Sequence, residues 1–206
     1  MSELGVSSVM NRAGDGRQPV PFFTQTTSFE RIWPDVLRHV GDVFASGIYS
    51  NGPKVAQFEE SIRAYTGARH AIGVSNGTDA LVLLLRAAGI GDGAEVVVPT
   101  FTFAASATSV ALTGARPVFA DIDPRTYALD PHSFAAAVTP STRAVMPVHL
   151  FCQLADMDAI GRIAREHDLL VLEDSAEAIG MRWDGIHAGL LGAGGVLSFF
   201  PTKTLG

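Results

Sequence analysis

A single cysteine, Cys152, stands in the 206 residues. That excludes an intramolecular disulfide framework and a multi-cysteine zinc site, so no metal centre is expected, and it fits a reducing compartment. Charge is sparse at 17%, and 15 Lys and Arg against 21 Asp and Glu leave a net charge of −6. Such a balance argues against nucleic acid or an anionic membrane surface as partner. Lysine is rarest among the charged types, with only Lys54 and Lys203. No uncharged apolar run reaches the roughly 18 residues of a spanning helix, and Met1-Ser2-Glu3-Leu4-Gly5 shows no basic segment before an apolar one. A cytoplasmic protein with no membrane segment is expected.

Apolar residues make up 47% of the chain, ample for a real core. Residues 1–21, with Asn11, Gly14, Asp15, Gly16 and Gln18, show little apolar periodicity and are expected to form a flexible arm, leaving 22–206 as one domain. From Ser28, Phe29, Ile32, Val36, Leu37, Val40, Val43 and Phe44 follow a helical period that Gly47 stops, with Pro34 placed in the first turn. A turn at Asn51-Gly52-Pro53 opens a second helix through Val55, Phe58, Ile62 and Tyr65, closed by Gly67.

Beyond it, short apolar runs alternate with helical patterns. The runs are His70–Ser75, Glu95–Pro99, Pro117–Asp121, Arg143–Val148, Leu169–Glu173 and Val196–Phe200. Helical patterns lie at Asp79–Ala88, Phe103–Leu112, Pro131–Val138 and Met157–His167. Each parallel step needs a crossover, so this order predicts an α/β domain: a three-layer, mostly parallel sheet. Runs such as Val96-Val97-Val98 suit strands buried on both faces.

In such sheets ligands gather beyond the carboxyl ends of the strands. There, Gly77 and Thr78 open a helix directly after an apolar run, which offers amide donors and a positive helix end to an anion such as phosphate. The alternative is that Asn76 or Thr78 merely caps the helix. No Gly-Lys-Ser/Thr follows and no Gly-x-Gly-x-x-Gly is present, which disfavours a P-loop and an unrelated dinucleotide-binding module. Asp174 ends a buried run, where a carboxylate needs a positive or hydrogen-bonding partner unless water reaches it. Lys203, beyond the last run, is either a surface charge or an amine able to join an aldehyde. A phosphate nest, a carboxylate for a pyridine nitrogen and a lysine at one sheet edge together are what pyridoxal phosphate requires.

Six ordered blocks sharpen this: Ser75-Asn76-Gly77-Thr78-Asp79-Ala80-Leu81, Pro99-Thr100-Phe101-Thr102-Phe103, Pro147-Val148-His149-Leu150-Phe151, Ala155-Asp156-Met157-Asp158-Ala159-Ile160, Glu173-Asp174-Ser175-Ala176-Glu177-Ala178 and Ser198-Phe199-Phe200-Pro201-Thr202-Lys203-Thr204-Leu205-Gly206. From about Phe22 to the last residue the chain resembles the DegT/DnrJ/StrS family of pyridoxal-phosphate-dependent sugar aminotransferases, whose larger domain has the fold type I architecture. The resemblance implies that Lys203 carries the cofactor and shuttles protons, and that Asp174 keeps the pyridine nitrogen protonated. It implies that Ser198, Thr78 and the amides of Thr78 and Asp79, in the turn begun by Gly77, hold the phosphate. Phe103 would stack on the ring, and Glu177 would approach its hydroxyl. Phe103 also reads as ordinary core, and His149 and Tyr49 read equally as structural or substrate-facing.

The implied reaction transfers an amino group from glutamate to a nucleotide-linked keto sugar, in a homodimer. The chain departs from the family at Phe151-Cys152, where Tyr-Gly is usual, and at Gly192-Ala193-Gly194-Gly195, which lacks an aspartate. It also stops three residues after Lys203, so the C-terminal small domain is expected to be absent. Two alternatives stay open: an inactive remnant or non-catalytic partner of a full-length aminotransferase, and a pyridoxamine-dependent sugar dehydratase. The lysine itself disfavours the dehydratase.

Overall fold

The computed structural model describes residues 20–21, 24–151 and 153–205. The arm expected over 1–21 therefore falls almost wholly outside the described residues, as does Cys152. The chain divides into two compact units, Met1–Tyr49 and Ser50–Gly206.

Among its described residues the first unit contains one helix, α1 (Thr26–Ser46), ended by Gly47 in the left-handed conformation at φ 67°. Its apolar stripe is exposed, with Phe29 and Trp33 in ring contact at 4.9 Å. Pro34 is not in the first turn; it lies inside α1, where it supplies no N–H to the carbonyl of Glu30.

In the second unit, α2 (Pro53–Thr66) starts with proline in its first turn and closes at Gly67, as the turn chemistry predicts. The sheet follows: β1 (Glu95–Pro99), β2 (Arg116–Ala120), β3 (Thr142–Val145), β4 (Leu170–Asp174) and β7 (Gly194–Val196), in the order β2-β1-β3-β4-β7 with every pairing parallel. Four helices pack on it: α3 (Gly77–Ala87), which precedes β1, and the crossovers α4 (Ala105–Leu112), α5 (Pro131–Ala137) and α6 (Met157–Glu166). Three of them begin with a side-chain cap. Asn76 accepts from the Asp79 amide, Asp130 from those of His132 and Ser133, and Asp156 from that of Ala159. Each such cap contributes about 1 kcal/mol.

Alternation along β1 builds both cores. Val96 and Val98 join Leu81, Leu85, Val110 and Met146 beneath α3 and α4, while Val97 joins Phe134, Val145 and Ile160 beneath α5 and α6. All three valines are fully buried, at about 1.5–3 kcal/mol each, so the sheet is the middle of three layers.

Three expectations need correction. Residues 70–75 form no strand; Ile72 is 80% exposed, and the Gly73 amide donates to the Glu59 carboxylate at 2.7 Å instead of to a neighbouring strand. The last strand is Gly194–Val196, so Leu197–Phe200 belong to the loop beyond it. A small hairpin, β5 (Arg182–Trp183) with β6 (Ile186–His187), went unread although its turn residues Asp184 and Gly185, both at positive φ, are a standard hairpin signal.

Candidate active site

At the carboxyl edge of β4 and β7 stand Asp174, Glu177 and Lys203. Asp174, the last residue of β4, is clamped by its backbone: its amide donates to the Pro147 carbonyl at 3.0 Å and its carbonyl accepts the His149 amide at 3.1 Å. The side chain is 5% exposed. Its Oδ2 accepts the Ser106 hydroxyl at 2.7 Å and its Oδ1 the Ala176 amide at 3.3 Å. Burial pushes its carboxyl above the usual range, opposed by those two hydrogen bonds and, through space, by Lys203 and His149.

Lys203 sits in a turn beyond β7, its amide bonded to the Phe200 carbonyl at 2.8 Å. Its Nζ donates to Glu177 Oε1 at 2.7 Å, with the lysine side chain 19% exposed and the glutamate 31%. Glu177 is thus brought to the lysine, and its other oxygen receives the Phe151 amide at 3.5 Å.

At the start of α3, a Cβ on Gly77 would lie 3.7 Å from both Cβ and Oγ of Ser198. The serine hydroxyl therefore rests against the helix N-terminus. Ser198 Oγ accepts the Phe200 amide at 3.3 Å, which leaves its own hydrogen for another acceptor. One expected donor is already used. The Asp79 amide serves Asn76 Oδ1 at 2.9 Å, while the Asp79 carboxylate accepts from Ser75 and Asn76. The donors of this turn are therefore the amides of Gly77 and Thr78 with the hydroxyls of Thr78 and Ser198. Asn76 caps the helix through the Asp79 amide, and the anion reading concerns the other amides of the turn.

Phe103 is 72% exposed and so is not core. His149 is the opposite case. It is fully buried, its Nδ1 accepting the Ala155 amide at 3.2 Å and its Nε2 meeting Glu173 Oε2 at 3.1 Å. A backbone amide can only donate, so the ring hydrogen is on Nε2, and with both nitrogens engaged His149 takes the structural of its two readings. Tyr49 belongs to the first unit, edge-on to Phe44 at 5.7 Å.

Two features escaped the sequence. Glu173, placed by the sequence only at the end of an apolar run, is fully buried and accepts the amides of Gly189, Leu191 and Gly192 at 2.7–2.8 Å in addition to His149. It fastens the loop that leads into β7. Ser106, 68 residues from Asp174 in sequence, carries no motif that announces it. Packing requires two glycines of the departing Gly192-Ala193-Gly194-Gly195 stretch: a Cβ at Gly192 would collide with the Val171 backbone, and one at Gly195 with the Gly189 backbone.

Among known proteins, the model of the DegT/DnrJ/EryC1/StrS aminotransferase family matches residues 31–206. The chain is 46% identical over 91% of its length to a pleiotropic regulatory protein of Geobacillus stearothermophilus, covering 50% of that protein. It is 46% identical over 83% of its length to UDP-2-acetamido-2-deoxy-3-oxo-D-glucuronate aminotransferase of Pseudomonas aeruginosa, covering 46% of it. Among solved structures, S. venezuelae DesV in complex with a ketimine intermediate superposes with TM-score 0.86 at 42% identity, over 91% of this chain and 50% of DesV. The chain thus spans about half the length of the curated relatives it matches.

Proposed function

Because the chain belongs to the DegT/DnrJ/EryC1/StrS aminotransferase family, whose members depend on pyridoxal phosphate, we propose that it binds that cofactor through Lys203 and serves the transamination of a nucleotide-linked keto sugar, with glutamate as the amino donor. We read it as part of a cytoplasmic homodimer in amino-sugar biosynthesis. The observation that carries the reading is the convergence of Lys203, Glu177 and Asp174 at one sheet edge.

The residues present fit the group. A buried carboxylate whose side chain, among the described residues, accepts from a hydroxyl and an amide suits a protonated ring nitrogen, and Ser198 against Gly77 suits a phosphate. Asp174 would hold the pyridine nitrogen, Ser198 with Thr78 and the amide of Gly77 would hold the phosphate, and Phe103 would offer an uncovered ring face. When bound, pyridoxal phosphate supplies an aldehyde that a primary amine can attack and a pyridinium ring that withdraws electrons from the neighbouring carbon.

The remaining work falls to the chain's own side chains. Lys203, mostly withdrawn from water, is the primary amine at the site, and its partner Glu177 at 2.7 Å can accept or return the proton on Nζ. Glu173, on β4, holds the loop beyond β3 through His149 and the loop before β7 through the Gly189 amide, which fixes the frame around Asp174. Tyr49 is retained as a substrate-facing candidate.

The test is to incubate the chain with pyridoxal phosphate, reduce with borohydride and map the labelled peptide. Label on Lys203 is expected. Label on Lys54, the other lysine, would sink the assignment. Amino transfer from glutamate to UDP-, GDP- and dTDP-linked keto sugars then separates the substrates.

A further inference from the structure

Asp174 is as deeply buried as a core residue, yet among the described residues no cation touches it. The charged or titratable groups around it are each occupied elsewhere. Lys203, from the loop beyond β7, pairs with Glu177; His149, from the loop beyond β3, donates to Glu173, its neighbour on β4 itself. From α4, the one element left, comes Ser106, fully buried, whose hydroxyl lies 2.7 Å from Oδ2. On its other side Ser106 Oγ is 2.8 Å from Thr102 Oγ1. A carboxylate accepts only, so the single hydrogen of Ser106 goes to Asp174 and Thr102 must donate to Ser106. The chain of hydroxyls therefore runs one way, from Thr102 through Ser106 to Asp174. The same turn carries Phe103, whose carbonyl accepts the Ser106 amide at 3.1 Å.

We propose that Ser106, oriented by Thr102, is a positioning residue for Asp174: it anchors Oδ2 and leaves Oδ1, which the Ala176 amide meets at 3.3 Å, a second lone pair for the cofactor's ring nitrogen. This rests on the reading of Asp174 given above. Hydrogen bonding to the charged form favours that form, so the serine offsets part of the burial that pushes the carboxyl up. It also stops the carboxylate from rotating about its last bond, which a through-space charge such as Lys203 does not do. The serine fits the role better than a cation would, because a cation in contact with Asp174 would compete with a pyridinium for the same charge.

The experiment follows the Asp174 carboxyl by carbon-13 NMR in the ligand-free, aspartate-labelled chain, assigned through Asp174→Asn. Ser106→Ala is expected to move the titration to higher pH, tightening proton binding about tenfold. Ser106→Thr, which keeps the hydroxyl, should restore it. Thr102→Val, at a half-buried position, should move it in the same direction by less, and decides the matter if Ser106→Ala does not fold. An unmoved midpoint in a folded Ser106→Ala or Thr102→Val chain, or a Ser106→Thr chain that titrates like the alanine variant, overturns the proposal. A borohydride-trapping run on the same samples reports the cofactor reading separately, since loss of label on Lys203 leaves the ligand-free titration intact.

Discussion

The two ends of the sheet treat a buried carboxylate in opposite ways. At the amino end of β1, Glu95 is 5% exposed and meets both the Thr139 hydroxyl, at 2.5 Å, and the Arg116 guanidinium. Those partners, the threonine first, hold its carboxyl below the usual range in spite of its desolvation. At the carboxyl end of β4, Asp174 is also 5% exposed and has no cation against it, and burial holds it above that range. The same fold thus spends one end on stability and leaves the other electrostatically unsatisfied. An unsatisfied buried charge is what a binding site keeps and a scaffold removes.

If the carboxyl end is the chemical end, removing its amine should have the largest effect of any substitution. Lys203→Ala is expected to lower borohydride-trappable pyridoxal phosphate by at least about 1,000-fold, because Lys203 is the amine that the described residues bring to Glu177 at that edge. The comparison breaks if the alanine chain still traps the cofactor on Lys54. Packing should be less forgiving than charge there. Gly195→Ala would drive a methyl into the Gly189 backbone, which cannot swing aside as a side chain can. A loss of about 1–3 kcal/mol is expected in urea unfolding.

Charge removal gives the sharpest contrast. Asp174 binds its proton more tightly folded than unfolded, so its contribution to stability falls as pH rises from the ordinary aspartate value through its raised one. Asp174→Asn should therefore raise the melting temperature of the ligand-free chain at pH 7, and the gain should vanish at acid pH. Glu95 has the reverse sign: its contribution is present above the ordinary glutamate value and is lost as pH falls through its lowered one. Glu95→Gln should lower the melting temperature at pH 7 and make less difference near pH 3. If both variants shift the melting curve the same way, the two ends do not differ as described. The smallest effect belongs to Phe103. Since its ring is 72% exposed, Phe103→Leu should change stability by less than about 0.5 kcal/mol, while weakening pyridoxal phosphate about 3–10-fold in an equilibrium titration.

Much of the site was legible because its residues sit where a strand ends or a helix begins. Asp174, Glu177, Ser198 and Lys203 follow apolar runs, and Asn76, Asp130 and Asp156 mark helix starts through local hydrogen bonds. Residues 70–75 misled because an apolar run says nothing about whether a neighbouring strand is there to pair with it. Pro34 misled because propensity places proline early in a helix, although an exposed helix tolerates one further along. His149 was ambiguous because a histidine after a strand looks the same whether its ring faces a cleft or a carboxylate such as Glu173.

What the sequence alone determined was periodic and local: parallel strands buried on both faces, helices capped by side chains three residues away, and the order of polar residues along one sheet edge. The tertiary structure alone decided which of those residues touch. Ser106 reaches Asp174 across 68 residues, and Glu173 ties itself to three amides of a loop 16 to 19 residues on. Such bonds depend on where packing brings two distant backbones, and a side chain's sequence neighbours carry no record of a partner that only the packed layers supply.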